Sequence, residues 1–352
     1  MIRHGEPDFP GGEKMCLGHT DLPLSPLGKL QACCLARALE KESLSAVYCS
    51  RLIRSRETAA FLSPAPIVRT GLEEMYAGEW DGLTFSQIRE RFSELFRQRG
   101  EDPSLEIPGS ESRRDGQQRF VRAVETIMAE TSGDVAVVAH STVNQAFFAH
   151  VTGTDLNGAT SRRAPYCSYA VYGRDETGFR LLGADVAPLP PLDEALCRAL
   201  RRAVELPAGI CAHCDAVAER AAAIAGELHR AGVTMDIPLL TRSALLHDLA
   251  RPFPHHDALA AQWLRALGYE REAALIARHH EPFSGTVDEA AVLTAADQTV
   301  REDRVVSLAE RFAESRKKCL TPEAWEAHAR REAAAQNMKE TVNRLCGKEI
   351  LP

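Results

Sequence analysis

Near the start of this sequence, histidine and arginine side chains are arranged in a pattern suited to cleaving a phosphate ester. Arg3-His4 stands near the start of the chain, and further arginines and histidines, among them Arg54 and His140, follow in the same half. A phosphate monoester carries about two negative charges, so an attacking group needs cations beside it. Arginine donates to two phosphate oxygens at once, and a neutral imidazole is a competent nucleophile near pH 7. These residue types indicate phosphoryl transfer through a covalent intermediate.

A second group of histidines and aspartates occupies the other half of the chain. Its members are His213, the adjacent pair His247-Asp248, the pairs His255-His256 and His279-His280, and Asp297. Imidazole and carboxylate together suit iron, manganese, zinc or similar divalent ions. Adjacent side chains on a helix project about 100° apart, so the pair can bind one ion and reach a second. Burying the pair without a metal or partner would be costly. This group predicts a divalent metal site.

A proline-rich segment separates the two groups. Pro188, Pro190 and Pro191 fall within four residues, which neither a helix nor a central strand accommodates. We therefore expect a first domain at residues 1–186, a linker at residues 187–195 and a second domain at residues 196–352.

Short β-rich runs alternate with helical stretches before the linker, which predicts a layered α/β domain. Ser25-Pro26 is a typical helix start. The predicted buried strands are residues 46–49, 66–68 and 135–139, and the predicted hairpin strands are residues 168–172 and 178–182, joined by residues 173–177. After the linker, alanine, leucine, glutamate and arginine dominate and strand-like runs vanish. The second domain should be all-helical.

Five ordered motifs surround the first group of residues. They are Arg3-His4-Gly5-Glu6, the stretches 18–25 and 49–59, the stretch 72–83 that contains Glu74-Met75, and the stretch 137–141. In this order they resemble the histidine phosphatase (phosphoglycerate-mutase-like) superfamily, in particular its short α-ribazole-phosphatase-like branch. The resemblance covers about residues 1–183. It implies a three-layer α/β sandwich that hydrolyses phosphate monoesters without a cofactor.

The resemblance also implies a role for each residue of the first site. His4 is the nucleophile that becomes phosphohistidine, and Arg3, Arg54 and His140 form the phosphate pocket. α-Ribazole 5'-phosphate is a specific candidate substrate.

Three further features of this site follow from the same resemblance. Glu74, rather than Glu73, is the proton donor, because it directly precedes Met75 in the family pattern Glu-Met-x-x-Gly-x-Trp. Gly18, His19 and Thr20 lie in a loop that contacts substrate in relatives. A mutase is the alternative, but the stretch from Glu74 to His140 leaves little room for the long insertions that cover the site in mutases, so we expect a phosphatase.

The first strand is shorter than in relatives, because only Met1 and Ile2 precede Arg3. Each lost apolar side chain of a central strand removes about 1.5–3 kcal/mol of burial free energy. We expect that the natural chain starts upstream or that this half is weakened.

The second group resembles the HD superfamily of metal-dependent phosphohydrolases over about residues 205–315. The order His, His-Asp, His, His, Asp carries this resemblance. It implies a first ion held by His213, His247, Asp248 and Asp297, and a second held by His256 and His279 with Asp248 shared. Family spacing favours His256 over His255 and His279 over His280. Two ions can activate a water and clamp a phosphoryl group.

Composition excludes several other classes of protein. The net charge of -7 disfavours a general nucleic-acid-binding surface. No apolar run approaches the ~18–20 residues that span a bilayer, and the start lacks the profile of a signal peptide. The ten cysteines are scattered, which indicates reduced thiols in the cytoplasm. The pair Cys211 and Cys214 is weak evidence for a zinc or redox site.

The sequence thus predicts a cytoplasmic phosphohydrolase with two centres, one metal-free and one metal-dependent. Its expected substrates are small phosphorylated metabolites or nucleotides, and its oligomeric state stays open. Two alternatives remain: only the HD centre is catalytic beside a phosphate-binding first domain, or the metal site is a nucleotide sensor without turnover.

Overall fold

The computed structural model describes residues 1–102, 104–158, 164–176 and 178–352. The chain divides into two compact units, Met1–Pro190 and Pro191–Pro352.

A six-stranded sheet forms the centre of the first unit. Its strands are β1 (Ile2–Arg3), β2 (Leu44–Cys49), β3 (Ile67–Val68), β4 (Asp134–Ala139), β5 (Tyr169–Asp175) and β6 (Gly178–Val186), in the order β3-β2-β4-β1-β5-β6. The first four strands of that order pair in parallel, whereas β5 and β6 are antiparallel. Parallel neighbours require crossover connections, which the intervening helices provide.

Helices cover both faces of this sheet. Alternate residues of a strand point to opposite faces, so Tyr48 and Val137 pack into one core with Phe120 and Phe147, while Val47 packs into the other. The first core lies against α5 (Arg113–Glu130) and α6 (Ser141–Thr152), and the second lies against α1 (Pro26–Ala38) and α2 (Ile53–Leu62). The predicted three-layer α/β sandwich is confirmed.

Most local predictions for this unit agree with the structure. Strands occupy residues 46–49 and 135–139, and the predicted hairpin forms, although β5 extends to Asp175 and residue 177 of its turn lies outside the described residues. Ser25 caps α1 by accepting the Gly28 N–H at 3.0 Å. The remaining helices of this unit are α3 (Phe85–Arg91) and α4 (Ser93–Glu101), with 3-10 turns at Pro10–Gly12 and Gly78–Trp80.

The prediction of a buried strand at residues 66–68 is wrong in its burial. Ile67 and Val68 form β3 but are 43% and 50% exposed. The strand lies at the edge of the sheet, beyond β2, so it has no strand beyond it to help cover its side chains.

The second unit is built almost entirely of helices, as predicted. They are α7 (Glu194–Ala203), α8 (Ala208–Arg230), α9 (Ile237–Leu246), α10 (His256–Leu267), α11 (Glu270–Arg278), α12 (Glu289–Gln298), α13 (Leu308–Arg316) and α14 (Pro322–Cys346). The exception is a small antiparallel ladder of β7 (Val300–Arg301) and β8 (Arg304–Val305). The long helix α8 packs against α9 and α12. Among the described residues, each helix is too short or too polar to cross a bilayer.

Candidate catalytic sites

His4 and His140 meet because each follows one of two neighbouring parallel strands. His4 comes directly after β1 and His140 directly after β4, and the His4 N–H donates to the Ala139 carbonyl at 3.1 Å. Their ring centroids lie 5.0 Å apart. His4 is 5% exposed and His140 is fully buried. The carboxyl edge of the sheet therefore holds a pair of imidazoles in one enclosed place.

The surroundings of His4 determine which of its nitrogens is free. Its Nδ1 lies 2.7 Å from the Gly5 carbonyl oxygen, which accepts only from an N–H. Nδ1 therefore carries the proton, and Nε2 keeps a lone pair. Burial, followed by the charges of Arg54 and Arg3, lowers the pKa of His4 well below its ordinary value. Near neutral pH the ring is uncharged and can act as a nucleophile.

Arg54 brings a fully buried guanidinium to the same place from α2. Its two terminal nitrogens donate to the carbonyls of Thr20 at 2.8 Å and Gly18 at 2.9 Å. Its Nε has no hydrogen-bond partner among the described residues. Burial lowers the pKa of Arg54, and the charges of Glu74, Asp21 and Asp81 oppose this effect. Because its hydrogen bonds go only to neutral carbonyl groups, the buried cation would be stabilised by an anion bound beside it. The helix is fixed against the His4 segment because Thr58 Oγ1 accepts the Gly5 N–H at 3.0 Å.

The loop of Gly18, His19 and Thr20 is held in place by a single carboxylate. Asp81 accepts the backbone N–H groups of all three residues at 2.8–3.2 Å. The loop carbonyls then face Arg54, and the His19 ring lies 3.0 Å from the Glu74 carbonyl oxygen.

Arg3 is positioned by an aromatic ring as well as by a hydrogen bond. It donates to the Ala164 carbonyl at 2.5 Å, and its guanidinium carbon lies 3.9 Å from the centroid of the Tyr166 ring. That ring is also 5.8 Å from the ring of His4. Stacking on an aromatic face restricts a guanidinium while leaving its donors available.

Glu73 and Glu74 are adjacent, but their carboxylates interact with different groups. The carboxylate of Glu74 accepts the N–H groups of Thr142 at 2.9 Å and Val143 at 3.2 Å, in the first turn of α6. Glu73 instead accepts the Gly71 N–H and pairs with Arg51 and Arg119. Glu74 therefore lies beside the strand end that carries His140, as its predicted role requires.

In the second unit, three helices bring His213, His247 and Asp297 together. Their ligand atoms all lie within 4.8 Å of one another. Asp297 Oδ1 is 3.0 Å from His213 Nε2 and 3.8 Å from His247 Nε2. The carboxylate of Asp248 lies 3.7 Å from the same His247 nitrogen. These distances give a compact set of nitrogen and oxygen donors.

The histidines of this cluster are oriented as metal ligands should be. Nδ1 of His213, His247 and His279 each lies beside a backbone carbonyl, at 3.0, 2.8 and 2.5 Å, so each Nε2 is left as a donor to a metal. The Nε2 atoms of His247 and His279 are buried and have no hydrogen-bond partner among the described residues. Unpaired buried nitrogens are rare and costly. Divalent ions bound there would satisfy these nitrogens, so the residues fit the expected metal.

Electrostatics in this cluster favours a cation. Burial alone would lower the pKa of His247, but Cys214, Asp248 and Asp297 outweigh it and raise the pKa to about 10. Burial would likewise raise the pKa of Asp297, but His213, His247 and His279 hold it well below its usual range. The carboxylates thus attract positive charge to this place, which a metal ion would supply instead of a proton.

His256 and His280 lie on the outer side of the cluster. His256 Nε2 is 3.3 Å from Asp248 Oδ1 and 2.8 Å from an Arg251 nitrogen. The ring of His280 lies 3.8 Å from that of His279 and 5.9 Å from that of His256. A cavity of about 310 Å³ is lined by His213, Asp248, Asp297 and His280.

The model of the histidine phosphatase superfamily (branch 1) matches residues 1–186, which is more than half of the chain. The chain belongs to the histidine phosphatase superfamily. The model of the HD domain matches residues 210–315. Both predicted families are confirmed, and with them the prediction that this histidine phosphatase is a phosphohydrolase.

Several known proteins are similar to this histidine phosphatase. Phosphoserine phosphatase 1 of Hydrogenobacter thermophilus is 30% identical over 183 residues, 50% of this chain and 86% of that protein. Glucosyl-3-phosphoglycerate phosphatase of Mycobacterium tuberculosis is 39% identical over 92 residues, 25% of this chain and 41% of that protein. The solved structure of Bacillus stearothermophilus YhfR is 29% identical with a TM-score of 0.49, covering 52% of this chain and 94% of that one.

The structure brings the predicted residues of each site close to one another. In the first unit, contacts link Arg3, His4, Arg54, Glu74, His140 and the loop of residues 18–20. In the second unit, His213, His247 and Asp297 form the compact group, Asp248 and His256 lie beside it, and the ring of His279 lies 5.4 Å from that of His247. That His279 rather than His280 binds the second ion stays a prediction. His279 has the unpaired ring nitrogen, which favours it as the ligand, but His280 is the one that lines the cavity.

Sequence reasoning missed three residues that support the phosphatase site. Ser50 is fully buried, with Oγ 2.7 Å from His140 Nε2, and it lies inside the motif at residues 49–59. Asp81 lies inside the stretch 72–83. Tyr166 lies outside all five motifs, so no sequence signal pointed to it. Cys211 and Cys214 are free thiols, and the metal-binding group found among the described residues includes neither.

Proposed function

We propose that this protein hydrolyses small phosphate monoesters through a phosphohistidine at His4 and cleaves a second phosphoester at the metal centre of its HD domain. The pairing of the His4 and His140 rings at 5.0 Å, with Arg54 buried beside them, carries the first half of the proposal.

The first reaction proceeds in two steps. His4 Nε2 attacks phosphorus and forms the N–P bond while the ester P–O bond breaks, and Glu74 gives its proton to the leaving oxygen. Water then attacks phosphorus, Glu74 takes a proton from that water, and the N–P bond breaks to release phosphate. Arg3, Arg54 and His140 bind the phosphoryl oxygens, which gather negative charge in both steps. Gly18, His19 and Thr20 contact the rest of the substrate.

In the HD domain, His213, His247, Asp248 and Asp297 would hold a first divalent ion. His256 and His279 would hold a second, with Asp248 shared between the two. Iron, manganese or a similar ion suits this mixture of imidazole and carboxylate ligands. When bound, such ions supply an activated water and neutralise phosphoryl charge. Arg251, which lies beside Asp248 and His256, binds and orients a phosphate oxygen at the same place.

The substrates are small phosphorylated metabolites or nucleotides. α-Ribazole 5'-phosphate, phosphoserine and glucosyl-3-phosphoglycerate are the candidates for the first site, the last two because similar proteins are named for them. We place the protein in the cytoplasm, since its ten cysteines are all free thiols, as a reducing compartment would keep them.

Two variants of the whole chain separate the two activities. A panel of phosphorylated metabolites and nucleotides is assayed with and without Mn²⁺. His4→Ala should lower metal-independent hydrolysis by about a thousandfold or more and leave Mn²⁺-dependent hydrolysis intact. Asp248→Ala should do the reverse. If His4→Ala keeps its metal-independent activity, the first half of the proposal is wrong; if one variant removes both activities, a single site performs both.

A further inference from the structure

A large cleft in the second unit adjoins the metal-binding cluster. Its volume is about 620 Å³, and it lies between α12, α13, α14 and the segment that follows α11. It shares Arg251, His280, Asp297 and Arg311 with the smaller cavity that His213 and Asp248 line. The cleft is therefore open to the reacting end of the site. Its size is in the range that holds a complete small ligand.

Cationic side chains outnumber carboxylates along this cleft. Arg251, Arg311, Lys318 and Arg331 line it, against Glu281 and Asp297. Both carboxylates have partners of their own, since Glu281 accepts from Arg278 and Asp297 pairs with His213.

Three of these cations lack an ion-pair partner in the described ranges of the chain. Arg311, Lys318 and Arg331 form no ion pair with a carboxylate within the part of the chain that the structure describes. Their neighbours are paired: Lys317 binds Glu314 at 2.7 Å, and Arg330 lies 3.7 Å from Glu326. Lys318 also lies near enough to Glu314 to help lower the pKa of that carboxyl, but four cations against two paired carboxylates still give the cleft a positive potential that attracts an anion.

The lining of the cleft also includes well-packed apolar residues. Phe312 and Met338 are 7% and 2% exposed. The buried His328 stacks edge-on against Phe312 at 5.4 Å and is hydrogen-bonded to the Ser315 hydroxyl at 2.8 Å. An apolar lining beside cations suits a ligand with a ring or carbon body that carries a negative group.

Part of this cleft comes from residues outside the HD domain itself. The family model ends at residue 315, whereas Lys318, Arg331 and Met338 lie beyond it, the last two on α14. The charge and shape of the cleft therefore depend partly on residues of this chain that the HD family model does not include.

We propose that this cleft is a substrate subsite, and that Lys318 and Arg331 select a small molecule with a second phosphate group remote from the one that reaches the metal centre. The inference rests on the proposed function in so far as that centre cleaves the first phosphate. The ring or carbon body lies against Phe312 and Met338, between the two anionic ends. Lys318 and Arg331 bind substrate and take no part in bond cleavage.

The test measures binding rather than turnover, so that it does not depend on the reaction. The probes are adenosine 3',5'-bisphosphate and adenosine 5'-monophosphate, titrated by calorimetry into the Mn²⁺-loaded whole chain. The variant is Lys318→Gln with Arg331→Gln. The matched control is Lys317→Gln with Arg330→Gln, which removes the same charge from adjacent positions. Circular dichroism checks that both variants fold.

The cleft variant should bind the bisphosphate about tenfold more weakly than wild type, equivalent to about 1.4 kcal/mol. The control should stay within about twofold, and the monophosphate should lose much less in either variant. The His4 site is intact in both variants, so their difference reports the cleft. Equal affinities in variant and control, or equal losses for the two probes, would overturn the inference. If the bisphosphate effect is found but wild type shows no Mn²⁺-dependent hydrolysis, the subsite stands and the proposed function of the metal centre fails.

Discussion

At the scale of single residues, the phosphatase site depends on keeping one imidazole neutral between two arginines. His4 is buried, its Nδ1–H is bound to Gly5, and Arg54 and Arg3 both oppose its protonation. A protonated ring has no lone pair on Nε2 and cannot attack phosphorus. The arginines therefore have two effects, since they bind phosphate and also extend the acid range in which the nucleophile is competent.

An NMR titration of His4 tests this effect. Its folded-state pKa lies below the ordinary imidazole value, so lowering the pH protonates His4 only after an exposed histidine has titrated. Arg54→Gln removes a nearby positive charge and should raise the pKa of His4, moving the acid limit of phosphorylation toward higher pH. Arg56→Gln, on the exposed side of α2, is the control and should leave it unchanged. An unaltered titration in Arg54→Gln would contradict this account.

The residue scale also shows what sequence patterns can identify. The predicted ligands and phosphate-site residues came from ordered motifs, because chemistry restricts which residue types occupy them. Ser50 and Tyr166 were missed because each supports another side chain through a contact that only the folded chain creates. Ser50 contacts His140, which lies 90 residues away in sequence, and Tyr166 stacks on Arg3.

At the scale of elements, close packing between α1 and the segment after β1 positions His4. Gly28 on α1 faces Glu6, and a Cβ built on Gly28 would lie 2.1 Å from the Glu6 carbonyl oxygen. That oxygen also accepts the Ser25 N–H at 2.9 Å. The glycine is therefore required by the close approach of two backbones, two residues beyond the nucleophile.

A pair of glycine substitutions tests this packing. Alanine in place of a helical glycine ordinarily stabilises a protein by about 0.5–1 kcal/mol. Gly28→Ala should instead destabilise the fold and lower phosphatase activity, because the methyl group displaces the His4 segment. Gly226→Ala, in α8 with nothing within 4 Å of the added carbon, should give the ordinary gain. Urea unfolding measures both; a stabilised Gly28→Ala variant would show that the approach is not tight.

The element scale separates what was predictable from what was not. The central strands β2 and β4 and the hairpin follow from apolar runs and turn residues. The exposure of β3 could not be predicted, because an apolar run does not reveal whether its strand is central or at the edge of the sheet. The two-residue strands β7 and β8 are too short to produce a periodic pattern.

At the scale of the whole molecule, the two units are expected to differ in their dependence on metal ions. We predict that the first works without an ion, whereas the second contains buried histidine nitrogens that a bound divalent cation would satisfy. Metal binding to the folded state alone adds stability, about 2.7 kcal/mol at one hundred times the dissociation constant.

Thermal unfolding with and without Mn²⁺ tests this difference. Mn²⁺ should raise an unfolding midpoint of wild type and should have little effect on Asp248→Ala, which lacks a ligand proposed to be shared. Asp303→Ala removes an exposed carboxylate from the same unit and should respond as wild type does. Equal shifts in all three proteins would mean that Mn²⁺ binds elsewhere.

The central claim is that a phosphoryl group passes to His4. The most direct measurement is a rapid quench of the whole chain with ³²P-labelled phosphomonoester, followed by mass spectrometry of the labelled peptide. Wild type and Asp248→Ala should both trap an acid-labile phosphohistidine at His4, and His4→Ala should trap none. Label on His4→Ala, or turnover by wild type with no labelled intermediate at any quench time, would contradict the account.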